Sequence, residues 1–318
     1  MHLNKLSWVL LILAALLLLL FLAAPHLMFN FIFGRPSRSK KIPKYYIGTP
    51  HYIVSQEGLK YMKERPNEEV TITSRDGLKL HAYLFPADEE SNKFVIGVHG
   101  YRSYSRPECA PYVEFYHSLG YNMLMVDDRA HAPSEGEHIG FGVLDRLDVV
   151  DWANYLVSTY GEDTEILMHG VSMGGATVVS ASGEPELPAQ VKGIVADCAF
   201  SHPYEVLEHQ LGQMHLPAGM MLPRIEKLCE KKIGIDLHSI TAIGQVQKAQ
   251  VPMLFVQGGK DEMVPPYMAE DLYNACSSEH KKLLQVPEAG HGESIAFAPE
   301  EYHQAIIDLF GIEAPAEN

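Results

Sequence analysis

Cysteine is scarce, with four residues (Cys109, Cys198, Cys229 and Cys276) among 318. They lie far apart without CxxC spacing, which excludes a zinc knuckle or a paired redox site and leaves them as core residues. Positive charge is also short: 25 Lys and Arg stand against 40 Asp and Glu, a formal net of −15. The concentrated basic surface that nucleic acid requires is therefore missing. Acids, in turn, are absent from residues 1–44, which carry Lys5, Arg35, Arg38, Lys40, Lys41 and Lys44. A basic neck precedes an acidic body. No internal repeat interrupts the chain, and its 47% hydrophobic and 20% charged residues suit a folded globular protein.

The first segment is apolar. "LSWVLLILAALLLLLFLAA", Leu6 to Ala24, holds no charge, and none follows until Arg35. As a helix it would match roughly the 30 Å of a bilayer's hydrocarbon core. A cleaved signal would have a shorter apolar region followed by a small-x-small site. Here "PHLMFNFIFG" continues the apolar character, so residues 1–34 read as an uncleaved single-pass anchor. The basic residues after the span would by themselves keep the body in the cytoplasm. An N-terminal anchor more usually exports the domain it carries, and the extracytoplasmic face is preferred on that ground. Residues 35–69 read as a tether, with "GRPSRSKKIPK" as a polar linker and "YIVSQEGLKYMKER" as a short helix.

The body, 70–312, alternates strand and helix. "VTITS" and "LKLHAYLF" flank "RDG" as a hairpin with one solvated face. "FVIGVHG", "YNMLMVDD", "TEILMHG", "VKGIVADCAF", "VPMLFVQGG" and "KKLLQVPEAG" are short apolar runs of the kind buried on both faces of a parallel sheet. "RPECAPYVEFYHSLG", "DRLDVVDWANYLVSTYG" and "PEEYHQAIIDLFG" show helical spacing. The alternation predicts an α/β fold with a mostly parallel, doubly wound sheet. Residues 201–250 are too long for an ordinary connection and read as a helical cap insertion, rich in Met, His, Leu and Pro.

"GVSMGG" falls between the strand "TEILMH" and the helix "GGATVVSAS", matching G-x-S-x-G with Gly170, Ser172 and Gly174. A serine there sits on a sharp turn that lifts its hydroxyl above the sheet, with a helix N-terminus pointing at the reacting centre. The hydroxyl needs a base, and the chain order Ser, acid, His points to Asp261 and His291, each just past a buried strand. Glu262 and Asp197 are alternative acids. His280 and His303 fall in helix-like surface text and read as solvated. An acyl-transfer oxyanion needs two N–H donors. The candidates are the backbone of Met173 and that of Tyr101, while His99 and Gly100 shape the turn.

These motifs, with "DDRAHAPSEG" after the fourth core strand, resemble the α/β-hydrolase superfamily across about 70–312. Within it the chain is similar to the membrane-anchored bacterial hydrolases of the Bem46-like group. That group carries D-x-R-x-H-G-x-S-x-G, where this chain has Ala130 and Ala132 at usual glycines and Pro133 after them. The resemblance implies a serine hydrolase acting on acyl compounds, esters first, with no cofactor and no metal. "HAPSEGEHIG" offers His131, Glu135, Glu137 and His138 as a metal cluster, but without HExxH or another known ligand spacing. Peptide, thioester or acyl-transfer chemistry would use the same triad. A competing class is a membrane-tethered binding module that has kept the fold. Another is a scaffold whose acidic body recruits a basic partner.

Overall fold

The computed structural model describes residues 5–36 and 47–313. Its centre is one eight-stranded sheet: β1 (Glu68–Thr73), β2 (Lys79–Phe85), β3 (Lys93–Val98), β4 (Asn122–Asp127), β5 (Glu165–Val171), β6 (Val191–Asp197), β7 (Met253–Gly258) and β8 (Lys281–Val286). The order is β1-β2-β4-β3-β5-β6-β7-β8. β2 is antiparallel to both β1 and β4, and the other neighbouring strands are parallel. The central strands are apolar on both faces because helices cover both.

On one face lie α2 (Pro50–Lys63), α3 (Ser105–Ser118), α10 (Ser294–Phe297) and α11 (Pro299–Phe310), around Tyr112, Tyr116 and Tyr302. On the other lie α4 (Asp145–Tyr160), α5 (Met173–Ala181), α8 (Ala242–Val246) and α9 (Tyr267–Ala275), around Trp152, Val179 and Leu272. Strand alternation divides the two cores: Val95 of β3 enters the first, while Phe94 and Ile96 enter the second. Residues 201–250 are helical as expected. They form α6 (Pro203–Gln213), α7 (Ala218–Ile233) and α8.

The N-terminal run forms α1 (Lys5–Phe33), which includes Pro25. Among the described residues no helix is long and apolar enough to cross a membrane. Several leucine side chains of α1 lie outside those residues. The end of α1 belongs to the body: Phe29, Ile32 and Phe33 are buried in the second core. Arg35 then donates to the carbonyls of Ala132, Ser134 and Gly136, each at 2.8 Å. Part of the tether is ordered as well. Thr49 caps α2, accepting from the Tyr52 N–H at 3.2 Å, and Pro50 takes the first helical position. The linker residues 37–46 lie outside the described residues.

Candidate active site

β5 ends at Val171 and α5 begins at Met173, so Ser172 alone makes the turn. Its φ of 57° and ψ of −116° are strained for a residue with a side chain. The turn is held because the Ser172 N–H donates to the Asp197 carbonyl at 2.8 Å. The glycines follow from crowding. A Cβ on Gly170 would sit 2.1 Å from the Gly174 carbonyl oxygen, and one on Gly174 would sit 2.2 Å from that of Val98.

Asp261 and His291 follow β7 and β8 at the same edge of the sheet as Ser172. Ser172 Oγ lies 2.8 Å from His291 Nε2, and His291 Nδ1 lies 2.8 Å from Asp261 Oδ2. The carboxylate is fixed in turn. Its Oδ1 accepts from the N–H groups of Met263 and Val264 at 2.9 Å, and Oδ2 accepts from Gln257 at 3.0 Å. With both carboxylate oxygens engaged, Nδ1 carries the ring proton and Nε2 is left to accept from the serine. Burial by itself would lower the His291 pKa. The hydrogen bond and charge of Asp261 outweigh it, and the net displacement from 6.5 is upward.

The alternative acids are placed elsewhere. Glu262 is exposed, and its carbonyl accepts from His209 of α6 at 2.9 Å. Asp197 faces the opposite core, where its carboxyl accepts from Tyr302 at 3.0 Å and Tyr112 at 3.4 Å. Burial raises its pKa to about 6. His280 is exposed, though it lies in a bend before β8 instead of a helix. His303 is not solvated as expected: its ring stacks on Phe115 at 3.9 Å, and burial lowers its pKa to about 4. It sits beside Tyr302 at the edge of the buried stripe of α11, a position that helical spacing alone marks as surface.

Tyr101 and Met173, the candidate oxyanion donors, both line a cavity of about 170 Å³ over Ser172 and His291. The turn after β3 reaches the nucleophile closely, since a Cβ on Gly100 would stand 3.3 Å from the Ser172 Cβ. His99 and His131 shape that turn. His99 Nδ1 is 2.7 Å from the Gly100 carbonyl, and the Arg102 N–H donates to His131 Nε2 at 3.1 Å. Burial, then the neighbouring His99, hold the His131 pKa well below the ordinary range, so it accepts as a neutral ring. The loop from 128 to 136 is clamped by Arg129, which bonds both carboxylate oxygens of Asp148 at 2.7 Å and reaches Asp76 at 2.8 Å.

The residues first considered for a metal do not converge. His131 serves the turn, Glu135 accepts from the Lys79 N–H at 2.9 Å, and His138 packs against Phe29. Among the described residues the grouping with metal-ligand potential is Cys198, Asp261 and His291, whose donor atoms lie within 4.8 Å of one another. The imidazole and the carboxylate are already bonded to each other, and burial pushes the Cys198 thiol well above its usual pKa. Both ring nitrogens of His291 are engaged, by Asp261 and by Ser172, so the donor set suits the hydrogen-bonded arrangement better than a metal.

A profile of the prolyl oligopeptidase family matches residues 142–308, more than half of the chain and all three of these residues. The chain belongs to this family. Within the α/β-hydrolase superfamily it is of the Bem46 type. It is similar to the uncharacterized protein YqkD of Bacillus subtilis, 26% identical over 56% of this chain and 58% of that one. It is also similar to protein bem46 of Schizosaccharomyces pombe, 24% identical over 76% of each chain. Among solved structures, the esterase Pf2001 of Pyrococcus furiosus shares the fold. Its TM-score is 0.65 at 23% identity, covering 80% of this chain and 94% of that one.

Sequence reasoning missed the contribution of the N-terminus. Met28, Phe31 and Ile32 of α1 wall the cavity over Ser172. The Tyr101 hydroxyl donates to the Ile32 carbonyl at 2.8 Å, and Arg102 donates to that of Phe31. A second cleft of about 280 Å³ shares His291 and Met263 with this cavity and is lined in addition by Thr49, His51, Lys260, Glu262 and Glu293. A leucine-rich run carries no local mark of which turns will meet a site so distant in sequence.

Proposed function

We propose that the chain is a serine hydrolase that cleaves carboxylic esters. The observation carrying this reading is the unbroken hydrogen-bonded series Ser172–His291–Asp261 on a strained turn, opening into a largely apolar cavity. Ser172 Oγ attacks the ester carbonyl carbon as its proton passes to His291 Nε2. Asp261 holds the tautomer and stabilises the imidazolium. The N–H groups of Met173 and Tyr101 take the oxyanion, aided by the N-terminal end of α5. Collapse breaks the bond to the alcohol, which leaves with the proton from His291. Water, deprotonated by the same ring, then releases the acid. On this reading α1 anchors the protein to a membrane, with the body on the extracytoplasmic side.

The test uses the full chain in detergent with a fluorophosphonate probe and p-nitrophenyl esters of increasing length. Labelling and turnover are expected in the wild type and absent in Ser172→Ala. A folded wild type that neither labels nor turns over would bring the binding-module reading forward. A second reading, peptide hydrolysis, is favoured by the family match and by the shared fold of an acylaminoacyl peptidase of Pyrococcus horikoshii. That structure has a TM-score of 0.58 at 15% identity, covering 81% of this chain and 44% of that one. Acyl-peptide substrates in the same assay separate the two.

A further inference from the structure

The apolar cavity over Ser172 is bounded on one side by α1 and on another by α6. Three of its wall residues, Phe31, Met214 and Met263, are each about half exposed and form its rim. Beyond that rim α1 exposes further large apolar side chains among its described residues: Leu27, then Leu22, Phe21 and Leu19, then Trp8–Leu13. On a body of strongly acidic composition, so much exposed apolar surface marks contact with an apolar partner.

The packing of α7 shows which end of the molecule meets it. The Arg224 guanidinium lies over Phe21 and the Lys232 ammonium over Phe29, with the same spacing on both helices, so α7 runs parallel to α1. The start of α7 therefore points the way α1 does toward its own N-terminus. The turn joining α6 to α7 carries Met214 and Leu216, the first turn of α7 carries Met220 and Met221, and Met220 is about half exposed. Met220 precedes Arg224 by one turn, which places it roughly 6 Å further toward the free end of α1 than the level of Phe21. Arg224 at the level of Phe21, Lys232 two turns behind it and the methionines ahead of it make a surface suited to lipid headgroups and acyl chains respectively.

We propose that this cavity is an acyl-chain site entered from the bilayer along α1, and that the substrate is a membrane-resident ester of a long acyl chain with a polar alcohol. The proposal rests on the serine hydrolase reading. The enclosed space accepts only the first few methylene groups, so a longer chain trails along the exposed apolar side chains of α1 and stays out of water. The adjoining cleft, which meets the cavity at His291 and Met263 and brings Lys260, Glu262 and Glu293 to its wall, receives the polar alcohol. The ester bond would then fall at Ser172 and His291, with the acyl chain in the apolar cavity.

The test places the full chain in phosphatidylcholine vesicles containing p-nitrophenyl palmitate, with dissolved p-nitrophenyl butyrate as the reference. The wild type is expected to favour the vesicle-borne ester. In Leu27→Asp, among the exposed side chains of α1, the palmitate-to-butyrate ratio of kcat/KM should fall about tenfold. In Ile32→Trp, which fills the cavity, the preferred chain should shorten. A ratio unchanged in Leu27→Asp, or a wild type preferring the dissolved ester, overturns entry from the bilayer. Fluorophosphonate labelling separates the two levels: it requires Ser172 and His291 but not Leu27. A wild type that does not label overturns the hydrolase reading and this proposal with it, whereas labelling with an unchanged ratio overturns only the proposal.

Discussion

At the scale of single residues, the chemistry depends on how His291 is poised. Asp261 raises its pKa above 6.5 against the downward pull of burial. The ring must be neutral to accept the serine proton, so kcat/KM should rise with pH through a value above 6.5 and then level off. In Asp261→Asn the upward contributions are removed and burial remains. The rising limb should then move to lower pH, while the plateau falls by roughly a thousandfold or more because the wrong tautomer is favoured. A pH–rate profile of both proteins checks this; an unmoved limb would mean that another group controls it. The positions of Ser172, Asp261 and His291 at one edge of the sheet were readable from the sequence because each follows a strand of unmistakable apolar character. The loop at Ala130 and Ala132 was readable only as a departure from its family. The structure places both alanines at left-handed φ, 61° and 41°, where glycine would be unstrained. Each costs about 1–2 kcal/mol in that conformation, and the clamps from Arg35 and Arg129 hold the loop there.

At the scale of elements, α1 divides into two unlike parts. The segment before Pro25 is exposed wherever its side chains are described, save the half-buried Ala24, while Phe29, Ile32 and Phe33 are core residues. Burying each contributes roughly 1.5–3 kcal/mol. A chain beginning at Pro25 should therefore melt close to the intact protein, and one beginning after Lys44 should melt far lower or aggregate. Thermal unfolding of the two truncations in the same detergent checks this. Equal melting temperatures would show that the docked turns do not contribute. The strands, the main helices and the helical insertion were all legible as periodic text. The docking of α1 was not, because hydrophobicity reports that a residue avoids water and not whether lipid or protein takes its place.

For the whole molecule, the buried titratable groups act in opposition. Burial raises the pKa of Asp148 to about 7 and that of Asp197 to about 6, and pushes Asp128 and Asp145 upward as well. These groups hold protons in the folded chain that the unfolded chain has released, so stability falls as pH rises between the ordinary carboxyl range and those values. Burial lowers the pKa of His169 to about 3 and that of His303 to about 4, and lowers His117 and His131 too. These bind protons only when unfolded, so through the overlapping window stability rises with pH. The two sets pull in opposite directions between about pH 4 and 6, so the net slope should be shallower than either set would give alone. Denaturant titrations across that range measure the slope directly, and a steeper dependence would show that one set does not titrate as described. Asp128, His169 and Asp197 fall in apolar runs legible as buried strands, whereas Asp145, Asp148, His117, His131 and His303 were not legible as buried, because each is enclosed by residues from other elements.

The cavity draws its walls from the beginning of the chain and its histidine from beyond the last strand of the sheet. Contacts between such distant segments form late in folding, and during synthesis the N-terminal part is available first. A chain still being made would thus carry a nucleophile without its base. On the proposed reading, the unfinished chain would stay inert until synthesis has passed β8.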